Sequence, residues 1–170
     1  EAADAAADDG AAADAADADV GIAPHTDFEA FTLMHQDAPG LQFYVPAAGG
    51  GGGAGSYPWD DAPVRPAEFV VIVRDVLERF TNGVLRATPH RVLARAARAP
   101  RSSIIRFNAV HPETVIEPLA PFVTRDRPRA YTRCTMRQHM ETTLANLEAG
   151  RGSWDAATNT STTANYRYAE

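Results

Sequence analysis

Residues 20–36 read VGIAPHTDFEAFTLMHQ and contain two apolar segments on either side of a short polar break. The segments draw on Val, Ile, Phe and Thr, which favour extended chain. Apolar runs of this length, bounded by turn-forming residues, predict strands. We therefore predict one strand over residues 20–25 and a second over residues 30–35, with a polar HTD motif at the end of the first.

The same pattern continues downstream. Short apolar runs separated by Pro, Gly and Asn predict further strands at residues 41–45, 69–74, 90–94 and 103–109, with shorter ones near Val64, Leu85 and Val115. A helical turn is predicted over residues 75–80, and it is closed by Asn82-Gly83, a pair suited to positive φ. Many short strands without βαβ alternation indicate an all-β sandwich or barrel-like jelly roll.

The ends of the chain have a different character. Residues 1–19 use almost only Ala, Asp and Gly, and residues 47–56 include five consecutive Gly, so we interpret them as an acidic low-complexity linker and a loop tip. Helical spacing of Met136, Met140, Leu144 and Leu147 predicts an amphipathic helix over residues 132–147. The predicted organisation is a linker (1–19), a jelly-roll domain (20–125), a C-terminal helix (126–150) and a disordered tail (151–170).

The charge of the chain argues against several classes of function. The formal net charge is −6, but seven of the 22 acidic residues lie in residues 1–19, and the 15 that remain are balanced by 16 basic residues, all of them Arg. Nothing in this balance indicates a nucleic-acid or anionic-membrane partner. No apolar run approaches the roughly 18 residues of a membrane span. The single cysteine, Cys134, cannot form an internal disulfide, which favours a reducing compartment such as the cytoplasm.

The HTD motif places His25 and Asp27 where a strand gives way to a loop. Because alternate residues of an extended chain point to the same side, their side chains can reach one metal ion together. His90, within TPHRV at residues 88–92, enters another predicted strand and can supply a third ligand. Two His and one carboxylate on one face of an octahedron leave three positions open, as in Fe(II) oxygen chemistry. We therefore predict a metal site at His25, Asp27 and His90.

Arg101 and Ser103 follow His90 at the start of the predicted strand over residues 103–109. They alternate onto one face, where Arg can pair with a carboxylate through two parallel hydrogen bonds and Ser can add its hydroxyl. The sequence thus predicts an anion anchor beside the metal site.

The order of these motifs resembles a known family. The matching segments are GIAPHTD (21–27), FTL (31–33), GLQ (40–42), FVVIVRDVLERFTNG (69–83), TPHRV (88–92) and RSSI (101–104). They resemble the C-terminal domain of the 2-oxoglutarate- and Fe(II)-dependent dioxygenases of the isopenicillin N synthase-like branch. The resemblance covers roughly residues 20–122.

This resemblance implies a double-stranded β-helix core with one C-terminal α-helix, incomplete on its N-terminal side. It implies that His25, Asp27 and His90 bind Fe(II), and that Arg101 and Ser103 bind the distal carboxylate of the co-substrate 2-oxoglutarate. A small organic substrate would then be hydroxylated or desaturated with O₂, releasing succinate and CO₂.

The sequence departs from the family pattern in two places. Residues 1–19 stand where the family has an Asn-Tyr-Tyr-Pro-Pro strand whose Tyr helps to hold 2-oxoglutarate, and Arg74 stands where a small Gly often precedes Asp75. Two alternatives therefore stay open. One is a truncated or non-catalytic jelly-roll remnant that keeps the metal ligands, and the other is a zinc or manganese site of the cupin type.

Other chemically capable residues have structural interpretations. We predict that Asp75, Arg79 and Asn82 fix a turn, and that most of the aromatic residues Phe43, Tyr44, Phe69 and Phe107 pack in the core. The remaining histidines, His35, His111 and His139, have no ligand context. Cys134 is predicted to lie on the C-terminal helix, without a base that could activate it as a nucleophile.

Overall fold

The computed structural model of the chain describes residues 20–45, 59–94, 100–155 and 160–162. The predicted acidic linker at residues 1–19 and the Gly-rich loop tip at residues 47–56 lie outside the described residues. The predicted domain bounds therefore stay a prediction, whereas the strands and helices between them can be compared directly with the sequence.

Two antiparallel sheets form the main body of the described chain. The first has the strand order β1-β6-β3-β4, with bounds β1 (Val20–His25), β3 (Leu41–Tyr44), β4 (Trp59–Asp61) and β6 (His90–Leu93). The second has the order β5-β2-β7, with bounds β2 (Phe31–Gln36), β5 (Val70–Val73) and β7 (Ser103–Asn108). The six longer predicted strands agree with these bounds to within one residue at each end.

The inner faces of the two sheets pack against each other. Met34 and Ile72 of the second sheet form a buried cluster with Leu41 of the first sheet and with Ala62, which follows β4. Burial of each large side chain contributes about 1.5–3 kcal/mol. Two sheets packed on one apolar layer confirm the predicted all-β jelly roll.

A second core joins the helices to the end of the second sheet. Its buried members are Ala30, Val76, Ile116 and Met136. Val76 belongs to α1 (Asp75–Phe80), as predicted, and Ile116 belongs to β8 (Val115–Ile116), which confirms the short strand predicted near Val115. Within the described ranges, no helix is long and apolar enough to cross a membrane.

The C-terminal helix α2 (Met136–Glu148) begins four residues later than predicted. Thr135 stops it from extending further back, because its side chain accepts from the Gln138 backbone N–H while the Gln138 side chain accepts from the Thr135 N–H. Cys134 and Thr135 instead form strand β9 (Cys134–Thr135), which pairs with β8. The prediction that Cys134 lies on the helix was therefore wrong.

The strands predicted near Val64 and Leu85 are not formed. Val64 lies between Pro63 and Pro66, and proline lacks the N–H that a strand ladder needs. The backbone N–H of Leu85 donates to the Thr81 side chain in a local turn. Local hydrogen bonds and missing donors thus overrode the apolar composition of these two segments.

The aromatic residues divide between core and surface. Phe43 packs against the buried cluster between the sheets, and Tyr44 contacts Trp59 and Trp154 with ring centroids 5.8 and 5.4 Å apart. Phe69 is 60% exposed and Phe107 is 55% exposed, so core packing was the wrong prediction for these two. Phe107 faces inward beside Thr32, but among the described strands β7 pairs with β2 alone, which leaves its outer side uncovered.

The C-terminal tail contributes structure where a poorly ordered segment was expected. Its described part pairs β10 (Trp154–Asp155) with β11 (Thr160–Ser161), and Ser153 and Ser161 are buried. Hydroxyl groups make most of the buried contacts of this segment, so apolar periodicity gave no signal for it.

The turn after α1 is fixed by buried polar groups. Asn82 has φ 51°, its side-chain amide donates to the Pro128 carbonyl at 2.9 Å, and its side-chain oxygen accepts from the Ala130 N–H at 2.9 Å. Glu78 is buried, and its carboxylate accepts from the Tyr131 hydroxyl at 2.5 Å and from the Ala87 N–H at 2.6 Å. The predicted structural role is confirmed for Asn82, and Glu78 and Tyr131 are additional members of this network.

The Tyr131→Phe variant tests this network. It removes a donor from a buried carboxylate, so we expect the free energy of unfolding to fall by about 1.5–3 kcal/mol in chemical denaturation. The Glu117→Gln variant is the control, since the Glu117–Arg129 pair is roughly two-fifths exposed and should contribute less than about 1 kcal/mol. Equal losses in both variants would contradict the assignment.

Candidate metal centre

Pairing of β1 with β6 brings the two predicted histidine ligands together. His25 stands opposite His90 in the antiparallel register, and their ring centroids are 4.1 Å apart. Asp27 follows in the adjoining loop, with its Oδ1 3.2 Å from Nε2 of His25. One donor atom from each of the three residues lies within 4.8 Å of the others, a spacing that fits one metal ion.

Backbone carbonyls orient both imidazole rings. Nδ1 of His25 donates to the Ala23 carbonyl at 2.9 Å, and Nδ1 of His90 lies 3.2 Å from the Thr88 carbonyl. A carbonyl can only accept, so each Nδ1 carries a proton, and Nε2 is the ring nitrogen left to bind a metal. The Nε2 atoms are therefore the available metal donors, each fixed by a hydrogen bond on the far side of its ring.

The protonation states also suit a metal. Burial, together with the nearby side chains of His25 and Arg74, lowers the pKa of His90 to about 3, so its imidazole is neutral at pH 7. Burial alone would raise the pKa of Asp27, but the hydrogen bond with His25 and the charge of Arg74 outweigh it and hold that pKa below its usual value. A neutral imidazole and an ionised carboxylate are the forms that bind metals.

The C-terminal tail holds the loop that carries the ligands. The Ser153 hydroxyl donates to the Thr26 carbonyl at 2.6 Å, and the Thr26 hydroxyl donates to the Ser153 carbonyl at 2.9 Å. The Ser161 hydroxyl donates to Asp75, whose backbone N–H donates to the Asp27 carbonyl. The loop between the first two ligands is thus fixed by residues that sequence analysis had assigned to a disordered tail.

Arg74 is a further member of the centre. The sequence identifies it only as a departure from the family pattern and does not predict that it contacts the proposed ligands. Its guanidinium is buried, forms an ion pair with Oδ2 of Asp27, and has Nη1 3.2 Å from Nε2 of His90. Its Nε donates to the Thr32 hydroxyl at 2.9 Å. The signal for this placement was strand alternation, because Ile72 points inward and Arg74 follows it by two residues.

The predicted anion anchor consists of Ser103, the first residue of β7, and Arg101, which lies two residues before the strand. Arg101 donates from Nη2 to Oε1 of Gln36 at 3.0 Å and from Nε to the Ala38 carbonyl at 3.3 Å, and neither bond uses Nη1. The hydroxyl of Ser103 is buried and has no partner among the described residues. Gly40 makes room for Arg101, because a Cβ there would lie 3.2 Å from its Cδ. An orphaned hydroxyl beside an arginine fits a bound carboxylate.

The other three histidines lie outside this group. Nδ1 of His35 donates to the Glu68 carbonyl, and Nδ1 of His111 accepts from the Glu113 N–H. His139 is buried on α2 in the second core region. Their structural interpretation agrees with these positions.

The sequence of this chain matches known oxygenases. The sequence model of the 2OG-Fe(II) oxygenase superfamily matches residues 9–109. Gibberellin 2-beta-dioxygenase 1 from Oryza sativa subsp. japonica is 34% identical over 129 residues, which are 75% of this chain and 32% of that protein. Homoarginine-6-hydroxylase 2-ODD-C23 from Glycine max is 32% identical over 107 residues, which are 63% of this chain and 30% of that protein.

Solved structures of oxygenases also match the fold of this chain. The crystal structure of a dioxygenase for auxin oxidation in rice matches with a TM-score of 0.71 and 26% identity, over 88% of this chain and 46% of that one. A full-length Neurospora crassa protein solved in complex with alpha-KG matches with a TM-score of 0.63 and 27% identity, over 74% of this chain and 38% of that one. The chain thus spans about a third of the length of the curated relatives and less than half of these structures.

The His90→Ala variant tests the metal centre. It removes one of three donors, so we expect the affinity for Mn(II), measured by isothermal titration calorimetry, to fall by more than about 100-fold. The His35→Ala variant is the matched control, because its imidazole bonds to the Glu68 carbonyl on the second sheet and should leave the affinity unchanged. Mn(II) binding that survives in His90→Ala would exclude His90 as a ligand.

Proposed function

We propose that this chain, which belongs to the 2OG-Fe(II) oxygenase superfamily, forms the iron- and 2-oxoglutarate-binding part of an oxygenase. The oxygenase would oxidise a small organic substrate. The observation that carries this proposal is the convergence of His25, Asp27 and His90 donor atoms within 4.8 Å of one another. In this proposal the two Nε2 atoms and a carboxylate oxygen of Asp27 would hold Fe(II), which supplies the oxidising chemistry with its other ligands.

Arg101 and Ser103 would anchor the distal carboxylate of 2-oxoglutarate. Arg101 keeps Nη1 for a ligand while its other nitrogens fix it to Gln36 and Ala38, and Ser103 supplies a buried hydroxyl. Gln36 lies four residues beyond Thr32 on the inner face of β2, which separates their Cα atoms by about 13 Å. Thr32 contacts Arg74 at the metal centre, so the anchor and the metal would hold the two ends of one elongated dicarboxylate.

When bound, iron and 2-oxoglutarate supply the oxidising chemistry, in which O₂, 2-oxoglutarate and a substrate C–H bond give an oxidised substrate, succinate and CO₂. The residues of this chain orient the two cofactors and keep the ligands in the correct protonation states. The buried side chains of Met34 and Ile72 supply an apolar inner face that excludes water.

The relatives support a small organic substrate. Their names include a gibberellin dioxygenase, a homoarginine hydroxylase and a dioxygenase for auxin oxidation, and the Neurospora crassa protein was solved with alpha-KG. The charge balance of the sequence favours such a molecule over a nucleic acid or a membrane as the partner. The free, half-buried thiol of Cys134 supports a reducing compartment such as the cytoplasm.

A second candidate is a non-catalytic metal-binding remnant of the same fold. One observation favours it, since Arg74 contacts two of the three proposed ligands and so places a cation beside the metal centre. Release of succinate from 2-oxoglutarate by the chain would support the oxygenase, whereas metal binding without any turnover would support the remnant.

Formation of the cofactor complex tests the proposed oxygenase directly. Anaerobic addition of Fe(II) and 2-oxoglutarate to the chain should produce the weak visible absorption of the chelate, because both cofactors then share one site. The same titration with Asp27→Ala should give no absorption, and an unchanged signal in that variant would exclude the proposed ligand set. The control is Asp37→Ala, whose carboxylate lies on an exposed turn and bonds to the Ser102 N–H.

The Arg101→Ala variant tests the anchor separately. Loss of a charge-assisted hydrogen bond weakens binding by about 1.5–3 kcal/mol. The Kd for 2-oxoglutarate should therefore rise about 10- to 100-fold, while the Kd for Mn(II) changes little. Arg106→Ala removes an exposed Arg from the outward face of β7 and should change neither constant. Equal losses of metal and 2-oxoglutarate in Arg101→Ala would show that Arg101 is only structural.

A further inference from the structure

We propose that Arg74 is a built-in counter-ion of the metal centre. When no metal is bound, Arg74 pairs with Asp27 and lies against His90, and it thereby weakens the binding of divalent cations. The inference rests on the proposed metal centre and adds to it a residue that controls metal affinity. Arg74 acts through two ligands, so it is a positioning residue.

The geometry of the guanidinium carries the inference. One terminal nitrogen pairs with Oδ2 of Asp27, and the other lies 3.2 Å from Nε2 and 3.3 Å from Nδ1 of His90. Because Nη1 is almost equally far from both ring nitrogens, it stands over the face of the imidazole and not in line with the Nε2 lone pair. The guanidinium thus pairs with the carboxylate group that a metal ion needs and places its positive charge against one of the two imidazoles.

Arg74 cannot leave this position easily. It follows β5 with the alternation that points Ile72 inward, and the bond from Nε to the buried Thr32 hydroxyl holds the base of the guanidinium. The residue is 2% exposed, so its guanidinium has little contact with solvent and depends on Asp27 for its counter-charge. The positive charge therefore stays within the centre whether or not a metal is present.

Two electrostatic effects follow from that charge. Without metal, Arg74 neutralises Asp27, and a buried carboxylate without such a partner would destabilise the fold. With metal, the same charge stands beside a divalent cation and shares the Asp27 carboxylate with it, so the metal gains less from binding. Arg74 hence stabilises the metal-free protein and lowers its affinity for metal.

The contrast with a neutral residue at this position gives the test. In the Arg74→Met variant of the full chain, we expect the Kd for Mn(II), measured by calorimetry without 2-oxoglutarate, to fall by at least about tenfold. The melting temperature of the metal-free variant should fall, and saturating Mn(II) should raise it by more than it raises that of the wild type. Arg74→Lys keeps the charge and should bind Mn(II) within about threefold of the wild type.

The gain in affinity separates this role from a merely structural one, because general damage to the site would weaken metal binding. Arg106→Met is the matched control, since it removes an exposed Arg outside the centre and should leave Mn(II) binding unchanged. An Arg74→Met protein that folds only with Mn(II) would support the proposal. Unchanged or weaker Mn(II) binding, or a variant that stays unfolded at saturating Mn(II), would overturn it.

The same experiment distinguishes failure of the metal centre from failure of the inference. If neither the wild type nor Arg74→Met binds Mn(II), or if binding persists when His90→Ala is added to either, the metal centre itself is refuted. If the wild type binds Mn(II) through His90 and Arg74→Met binds no tighter, only the role of Arg74 is refuted. Binding that appears only in Arg74→Met and requires His90 would support both.

Discussion

The antiparallel pairing of β1 with β6 is the constraint on which the rest of the site depends. It sets His25 opposite His90, and the register is reinforced from the other side of β6, where Phe43 of β3 also stands opposite His90. A slip of one residue would turn the His90 side chain to the opposite face of the sheet. The backbone pairing of β1 with β6 therefore fixes the spacing of the two imidazoles before any cofactor is present.

Strand β2 connects the two ends of the candidate site through an unusually polar inner face. Thr32 and Gln36 are buried on either side of Met34, although an inward-facing strand position normally carries an apolar residue. Each has a charged partner, Arg74 for Thr32 and Arg101 for Gln36. Buried polar groups are tolerated when they are hydrogen-bonded. Here the bond to Thr32 orients Arg74 toward the proposed metal ligands, and the bond to Gln36 holds Arg101 in the proposed anchor.

Much of the fold and of the candidate site could be predicted from local sequence, and the failures have identifiable causes. Alternation and turn residues located the long strands, and the HTD motif with His90 identified three residues whose donor atoms converge in the structure. The contacts of Arg74 with Asp27 and His90 depend on three segments meeting in space, which no single window reveals. Ser153 was missed because its contribution is hydrogen bonding by a hydroxyl, which has no periodic signal. Phe107 is exposed although strand spacing favoured core packing, because exposure depends on what covers β7.

The reciprocal hydrogen bonds between Thr26 and Ser153 have a consequence for the order of folding. The two residues are 127 positions apart in the chain, so the contact closes one of the largest loops in the molecule. The entropy of closing such a loop must be met before the contact stabilises anything, and long-range contacts of this kind tend to form late. The backbone between the first two ligands is therefore expected to reach its final conformation only after the C-terminal segment has docked. Maturation of the centre then becomes a late event in the folding of the chain, although two of its three ligands stand near the beginning of the jelly roll.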